Sequence, residues 1–137
     1  MRRAVLWDSS AILALLDADD RDHLHAAAVA TRVAVEARPC FVTNYIEAEA
    51  HALLLRKLGR AIARQWLLEG GLPVVSATPA EVARAKELLL RRDDKDWSLC
   101  DAISFAVMES RGVRHAFTFD RHFRQHGRLE LLGLDRK

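Results

Sequence analysis

Short apolar runs, separated by longer stretches of helical periodicity, set the pattern of this chain. Residues 3–7, Cys40-Phe41-Val42-Thr43, Pro73-Val74-Val75-Ser76, 115–119 and 129–132 read as five strands. After the first, Asp8-Ser9-Ser10 opens a helix through Leu16, an acidic loop covers 17–22, and an alanine-rich helix spans about 23–36. Pro39 breaks that pattern. A helix over 44–58 follows the second strand, Gly59 ends it, and another short helix reaches Glu69. Thr78-Pro79 starts the next helix, since proline is tolerated in a first turn, and it runs to Arg91. After the charged loop 92–96, a helix over 98–111 stops at Gly112. Strands that alternate with helices argue for a parallel sheet covered on both faces. The predicted fold is α/β, in three layers, with a central and mostly parallel sheet of about five strands.

At 137 residues and 50% hydrophobic composition, the chain is expected to form one domain, 1–137, with a substantial core. A net charge of only +2 offers no global field for nucleic acid, although local basic clusters can still bind it. Cys40 and Cys100 share neither a CxxC motif nor a ligand spacing, so both read as reduced core residues. Asp8 interrupts the first apolar run at once, and no signal peptide is expected. No stretch approaches the roughly 20 apolar residues of a membrane span. A cytoplasmic protein without membrane contact is the expectation.

Candidate chemistry comes from four dispersed carboxylates. Asp8 follows the first strand and Asp120 the fourth, at the edge where open α/β sheets bind ligands. Glu49 and Asp101 lie in helical stretches. Each acid has a local explanation. Asp8 can cap the first helix, although Ser9 and Ser10 can do the same. Asp101 fits the capping box Ser98-Leu99-Cys100-Asp101, and Asp120 can cap the segment 121–126. With Asn44 as N-cap, Glu47 falls where it can reach back in a capping box. Glu49 then points about 200° away, beside Tyr45, Ile46 and Leu53. A carboxylate on an apolar stripe needs a partner. Leu54 and Leu58 share the side of Glu47, however, so periodicity leaves both glutamates open. Jointly the capping roles explain less, because at least three acids would meet at one edge of one sheet. Like charges there repel unless a cation joins them. A divalent-metal site is the chemistry implied.

The same segments resemble the motifs of PIN domains. Trp7-Asp8-Ser9-Ser10-Ala11-Ile12 is similar to the family's opening, and Thr43-Asn44-Tyr45-Ile46-Glu47-Ala48-Glu49-Ala50 to its second motif. Ser98-Leu99-Cys100-Asp101-Ala102-Ile103-Ser104-Phe105 resembles the third and Phe117-Thr118-Phe119-Asp120-Arg121-His122-Phe123 the fourth. Asp22-His23-Leu24-His25-Ala26-Ala27-Ala28 is similar to an early Asp-x-x-His-x-x-Ala segment. Size and layout most resemble the VapC group of toxin ribonucleases. Glu47 departs from the pattern, which more often has an apolar residue there. The resemblance implies an endoribonuclease dependent on Mg2+ or Mn2+, inhibited by a cognate antitoxin. Asp8, Glu49, Asp101 and Asp120 would be its catalytic residues and the ligands of one or two ions, with Asp8 and Asp101 central. Ser10 and Thr118 would support those ligands by hydrogen bonds.

Arg121, His122 and Arg124 begin a basic cluster beside Asp120, continued by His126 and Arg128, that would hold RNA phosphates. Arg56, Lys57, Arg60 and Arg64 read as an ordinary solvated face. Trp97 is open between stacking a base and a packing or dimer role. The six histidines suggest no transition-metal site. Leu53, Leu54, Leu55, Leu58, Ile62, Trp66 and Leu67 offer more apolar surface than one small sheet needs, so a homodimer or an antitoxin groove is expected there. Two rival functions remain: a metal-dependent phosphatase or DNA nuclease using the same acids, and an inactive PIN-like module that binds protein. An inactive scaffold has no physical reason to keep clustered like charges.

Overall fold

The computed structural model describes residues 3–134. Strands β1 (Val5–Trp7), β2 (Cys40–Thr43), β3 (Val74–Val75), β4 (His115–Phe117) and β5 (Glu130–Leu132) form one sheet in the order β3-β2-β1-β4-β5. Every pairing in it is parallel. Helices α1 (Ser9–Leu16) and α2 (His23–Val35) lead from β1 to β2, and α3 (Asn44–Leu58) and α4 (Arg60–Glu69) from β2 to β3. Helices α5 (Pro79–Arg91) and α6 (Leu99–Arg111) return the chain to β4, and a 3-10 helix, Arg121–His126, precedes β5. The expected α/β architecture is present, with a sheet that is wholly rather than mostly parallel.

Some strands are shorter than their apolar runs. β4 stops at Phe117, although the run continues to Phe119, because side chains take over the backbone donors. Phe119 N donates to Ser10 Oγ (3.0 Å) and Asp120 N to Thr118 Oγ1 (2.9 Å). The chain thus leaves the ladder just where the chemistry begins.

Helix contacts fall largely into two groups: α1 packs on α2 and α3, and α3 on α4; α5 packs on α6, which also meets the 3-10 helix and, joining the groups, α3. Right-handed crossovers explain the division, since the excursion β1-β2-β3 and the return to β4 run in opposite directions along the sheet. Residues 101–108 of α6 are all buried, the mark of a helix packed on more than one side. Gly112 ends α6 in the left-handed region (φ 67°), as expected of a C-terminal glycine. The strand order reverses between β1 and β4. A crevice at their carboxyl ends is the switch point where open α/β sheets take ligands.

Away from that crevice, a polar clasp joins α5 to α6. Glu81 is only 5% exposed. Its carboxylate closes a capping box with Thr78 and accepts Arg111 Nε and Nη2, both at 3.0 Å, and the Ser110 hydroxyl. The Arg111 fork, above all, holds this carboxyl down at about 2, against the opposing effect of burial. A depressed folded value contributes stability above the ordinary carboxylate range, and that stability is lost as pH falls toward 2. Arg111→Ala would leave a buried carboxylate unpaired, and we expect a cost of roughly 3 kcal/mol in urea melts at neutral pH. The cost should shrink as the medium is acidified below about pH 4. A loss that does not vary with pH would assign the effect to packing alone.

Candidate active site

Asp8 caps α1 directly after β1. Its N–H donates to Phe117 O (2.9 Å), which carries the β1–β4 ladder one residue further and sets Asp8 opposite Thr118. Oδ2 of Asp8 accepts from Ser10 Oγ (2.7 Å), Thr118 Oγ1 (3.0 Å) and, at the limit of a bond, Ser10 N (3.4 Å). All three donors converge on one oxygen, so Oδ1 is left for another partner. Asp8 is 2% exposed and Thr118 fully buried. Both hydroxyl residues named from the sequence therefore brace the first acid.

Asp101 sits in the first turn of α6, closes the capping box with Ser98, and is 5% exposed. Asp120 caps the 3-10 helix, its Oδ1 accepting His122 N at 2.9 Å. Between these two acids lies the His122 ring, with Nδ1 3.2 Å from Asp120 Oδ1 and 3.5 Å from Asp101 Oδ2. One ligand atom from each of the three residues lies within 4.8 Å of the others.

Glu49 comes in from α3. Ser9 Oγ donates to its Oε1 at 2.5 Å, so the two serines after Asp8 divide the work, Ser10 on the first acid and Ser9 on the second. The N-cap of α3 is Thr43, which accepts Ile46 N at 3.0 Å, whereas Asn44 Oδ1 is taken by Ala77 N. The capping box expected for Glu47 does not form. Ile46, Ala50 and Leu54 make the buried stripe of α3, and the two glutamates flank it on opposite sides. Glu47 lines a small cavity with Val42, Trp66 and Val74, away from the other acids.

The four carboxylates act on one another. Burial raises Asp8 from 3.8 to about 7; the Ser10 hydroxyl opposes this, and repulsion from Glu49, Asp101 and Asp120 adds to it. Burial also raises Asp101, against the Ser98 N–H, with Asp120 and Glu49 contributing repulsion. The Cys100 thiol is pushed up by burial and then by Glu49, Asp8 and Asp101, so it stays protonated and is no nucleophile. Hard oxygen donors in mutual repulsion, with an unused oxygen on Asp8, fit Mg2+ or Mn2+.

Several sequence readings change. Trp97 is 7% exposed, donates Nε1 to Gln125 Oε1 (3.0 Å) and packs edge-on against Phe105 (4.9 Å), which makes it a packing residue rather than a base-stacking platform. Cys40 and Cys100 are half-buried instead of lying in the core. Arg121 and Arg124 border a cavity of about 180 Å³ with Arg21, His25 and Phe119, beside Asp120. His122, grouped with them as a phosphate contact, lies instead against the acids. The spacing Asp120-x-His122 was its available signal, since a capping aspartate returns the side chain two residues on. The role of Ser9 had no such signal, because its partner is 40 residues away.

This arrangement, a carboxylate crevice at the switch point of a parallel five-stranded sheet, agrees with what comparison with known proteins finds. A profile of the PIN domain matches residues 5–129, and the chain belongs to that family. Within it the chain is VapC-like. It is 32% identical over 131 residues to the 23S rRNA-specific endonuclease VapC20 of Mycobacterium tuberculosis (strain H37Rv), covering 93% of this chain and 97% of the relative. The crystal structure of M. tuberculosis VapC20, described as a sarcin–ricin loop cleaving toxin, matches with a TM-score of 0.78 and 30% identity over 92% of this chain and 97% of that one. DNA-bound VapBC from Salmonella typhimurium (14% identity, 96% of this chain and 97% of that one) and FitAcB from Neisseria gonorrhoeae (15%, 93% and 96%) share the fold, each with a TM-score of 0.67.

The raised value of Asp8 carries a sign that can be tested without activity. A group that holds its proton more tightly when folded costs stability as pH rises from its unfolded value near 3.8 to its folded value near 7. Asp8→Asn should therefore stabilise the metal-free protein at pH 8 by on the order of 2 kcal/mol, and the gain should shrink below pH 7. Thermal melts in EDTA across that range provide the readout. A destabilised variant, or a gain independent of pH, would contradict the buried cluster.

Proposed function

We propose that this chain is a toxin endoribonuclease that cleaves RNA phosphodiester bonds with one or two Mg2+ or Mn2+ ions held by Asp8, Glu49, Asp101 and Asp120. The observation that carries the reading is the meeting of Asp101, Asp120 and His122 within 4.8 Å of one another, near the buried Asp8 and Glu49, in a chain 32% identical to a 23S rRNA-specific endonuclease. Bound there, the ion supplies positive charge at the phosphate oxygens and a lower pKa for a coordinated water.

The chain's own residues do the positioning. Ser10 and Thr118 hold Oδ2 of Asp8 and leave Oδ1 for the ion. Ser9 aims Glu49, and the Ser98 N–H holds Asp101 Oδ2 at 3.2 Å. His122 ties Asp120 to Asp101, while Arg121 and Arg124 receive phosphates beside them. No side-chain nucleophile is required. The activity of M. tuberculosis VapC20, a 23S rRNA-specific endonuclease and sarcin–ricin loop cleaving toxin, makes a sarcin–ricin stem-loop of 23S rRNA the first substrate to try. A phosphatase or a DNA nuclease would use the same acids and is separated by the substrate screen.

An antitoxin partner fits the apolar groove of about 370 Å³ between α1 and α4, lined by Ile12, Leu15, Leu16, Ile62 and Trp66. Exposed Leu55, Leu67 and Leu68 on α3 and α4 suit a homodimer. Among the described residues no helix is long and apolar enough to cross a membrane, which accords with action in the cytoplasm.

Asp8→Asn and Asp101→Asn should each reduce Mg2+-dependent RNA cleavage to background while the variants still melt cooperatively. Glu49→Gln should lose activity on the order of 100-fold, and Glu47→Gln should stay near wild type. Wild-type cleavage by either aspartate variant, or a larger loss at Glu47, would refute the assignment.

A further inference from the structure

The 3-10 helix lies against the acids because α6 holds it there. Asp101 and Phe105 lie about one turn apart on the same face of α6. Phe105 packs against the buried Phe123, one residue past His122, at 5.0 Å. On the other side, the Asp120 carboxylate caps the segment and accepts the His122 N–H at 2.9 Å. The backbone of His122 is thus fixed through both flanks, and its ring lies beside Asp101.

The ring nitrogen Nδ1 stands 3.2 Å from Asp120 Oδ1 and 3.5 Å from Asp101 Oδ2. Both separations exceed the roughly 2.9 Å of a good N–H···O bond, so the ring is shared between two oxygens and committed to neither. Ligand atoms about 2.1 Å from one ion lie about 3.0 Å apart at octahedral angles and about 3.4 Å apart at tetrahedral ones. The observed spacings match that range. Each of the two oxygens takes a backbone N–H, from His122 on Asp120 and from Ser98 on Asp101, and keeps a further lone pair. Asp101 is buried, whereas the side chains of Asp120 and His122 are about one-third exposed, so the group opens on one side. Among the described residues this is the one group of three such side chains close enough to share an ion.

We propose that His122 Nδ1 is a ligand of the ion held by Asp101 and Asp120 and gives this site a preference for Mn2+ over Mg2+, an inference that rests on the divalent-metal reading above. Mg2+ is a hard cation that binds through oxygen. Imidazole suits first-row transition ions, whose affinity for such sites rises from Mn2+ toward Cu2+. Two carboxylates with one imidazole accept either ion and discriminate through the nitrogen. In that role the ring is neutral and carries its proton on Nε2. A histidine that only braced the acids would act equally on both ions.

Pulsed electron paramagnetic resonance of the full chain loaded with Mn2+ tests the bond itself. The spin echo should carry the modulation of a directly bound nitrogen, and that modulation should change when the protein is made with 15N-labelled histidine. His122→Asn keeps a side-chain N–H for the acids, removes the imidazole, and should abolish the signal. In calorimetric titrations the same variant should lose Mn2+ affinity on the order of tenfold or more, while Mg2+ affinity stays within about twofold. An echo without bound nitrogen would overturn the proposal, as would equal losses for both ions. The wild-type echo decides the ligation even if the variant folds poorly. Bound Mn2+ without nitrogen, together with metal-dependent RNA cleavage, removes His122 from the site and leaves the ribonuclease reading intact. Nitrogen-bound Mn2+ in a chain that cuts no RNA does the reverse.

Discussion

The burial of two carboxylates, Asp8 and Asp101, with Glu49 and Asp120 close by is the constraint around which this molecule is arranged. Asp8, Glu49, Asp101 and Asp120 arrive from four separate segments, and each is fixed by a device that does not depend on the others. The β1–β4 ladder sets Asp8, Ser9 holds Glu49, a capping box holds Asp101, and a helix cap holds Asp120. Local hydrogen bonds hold the geometry, and the cost remains in the site: burial first, and then the neighbouring acids, raises Asp8 and Asp101. The rest of the fold must then supply the stability the site lacks. The buried span of α6 beyond Asp101 and the clasp of Glu81 with Arg111 do that from outside the crevice.

The same dual use appears in the capping residues. Capping and metal ligation look like competing explanations for Asp8, Asp101 and Asp120, yet the structure gives each of them a cap and a place in the cluster. A carboxylate has two oxygens, and a cap needs only one. On Asp8, all three local donors meet at Oδ2. An acid at a helix start also lies near the positive end of the helix dipole, which favours its ionised form and partly offsets burial.

Much of this was legible in the chain. Strand-helix alternation and the acids beyond the first and fourth strands follow from local chemistry; the alternation led to the right sheet, and the structure brings those acids to one of its edges. Glu47 and Glu49 could not be separated by periodicity, because both flank the stripe Ile46, Ala50, Leu54 from opposite sides. What sets Glu49 apart is Ser9, a contact made across the fold. Trp97 was ambiguous for a similar reason: an indole before a helix can face solvent or core, and Gln125 with Phe105 draws it inward.

Charge is thus segregated on a nearly neutral chain. Acids gather at the switch-point crevice, and Arg121 and Arg124 flank it on the 3-10 helix. The central claim is that the acids form one divalent-cation site. Anomalous scattering from crystals soaked in Mn2+ tests it most directly. The account predicts a peak enclosed by Asp8, Glu49, Asp101 and Asp120, absent from Asp8→Asn crystals. A crevice empty at saturating Mn2+, or an ion bound at Glu47 instead, would contradict it.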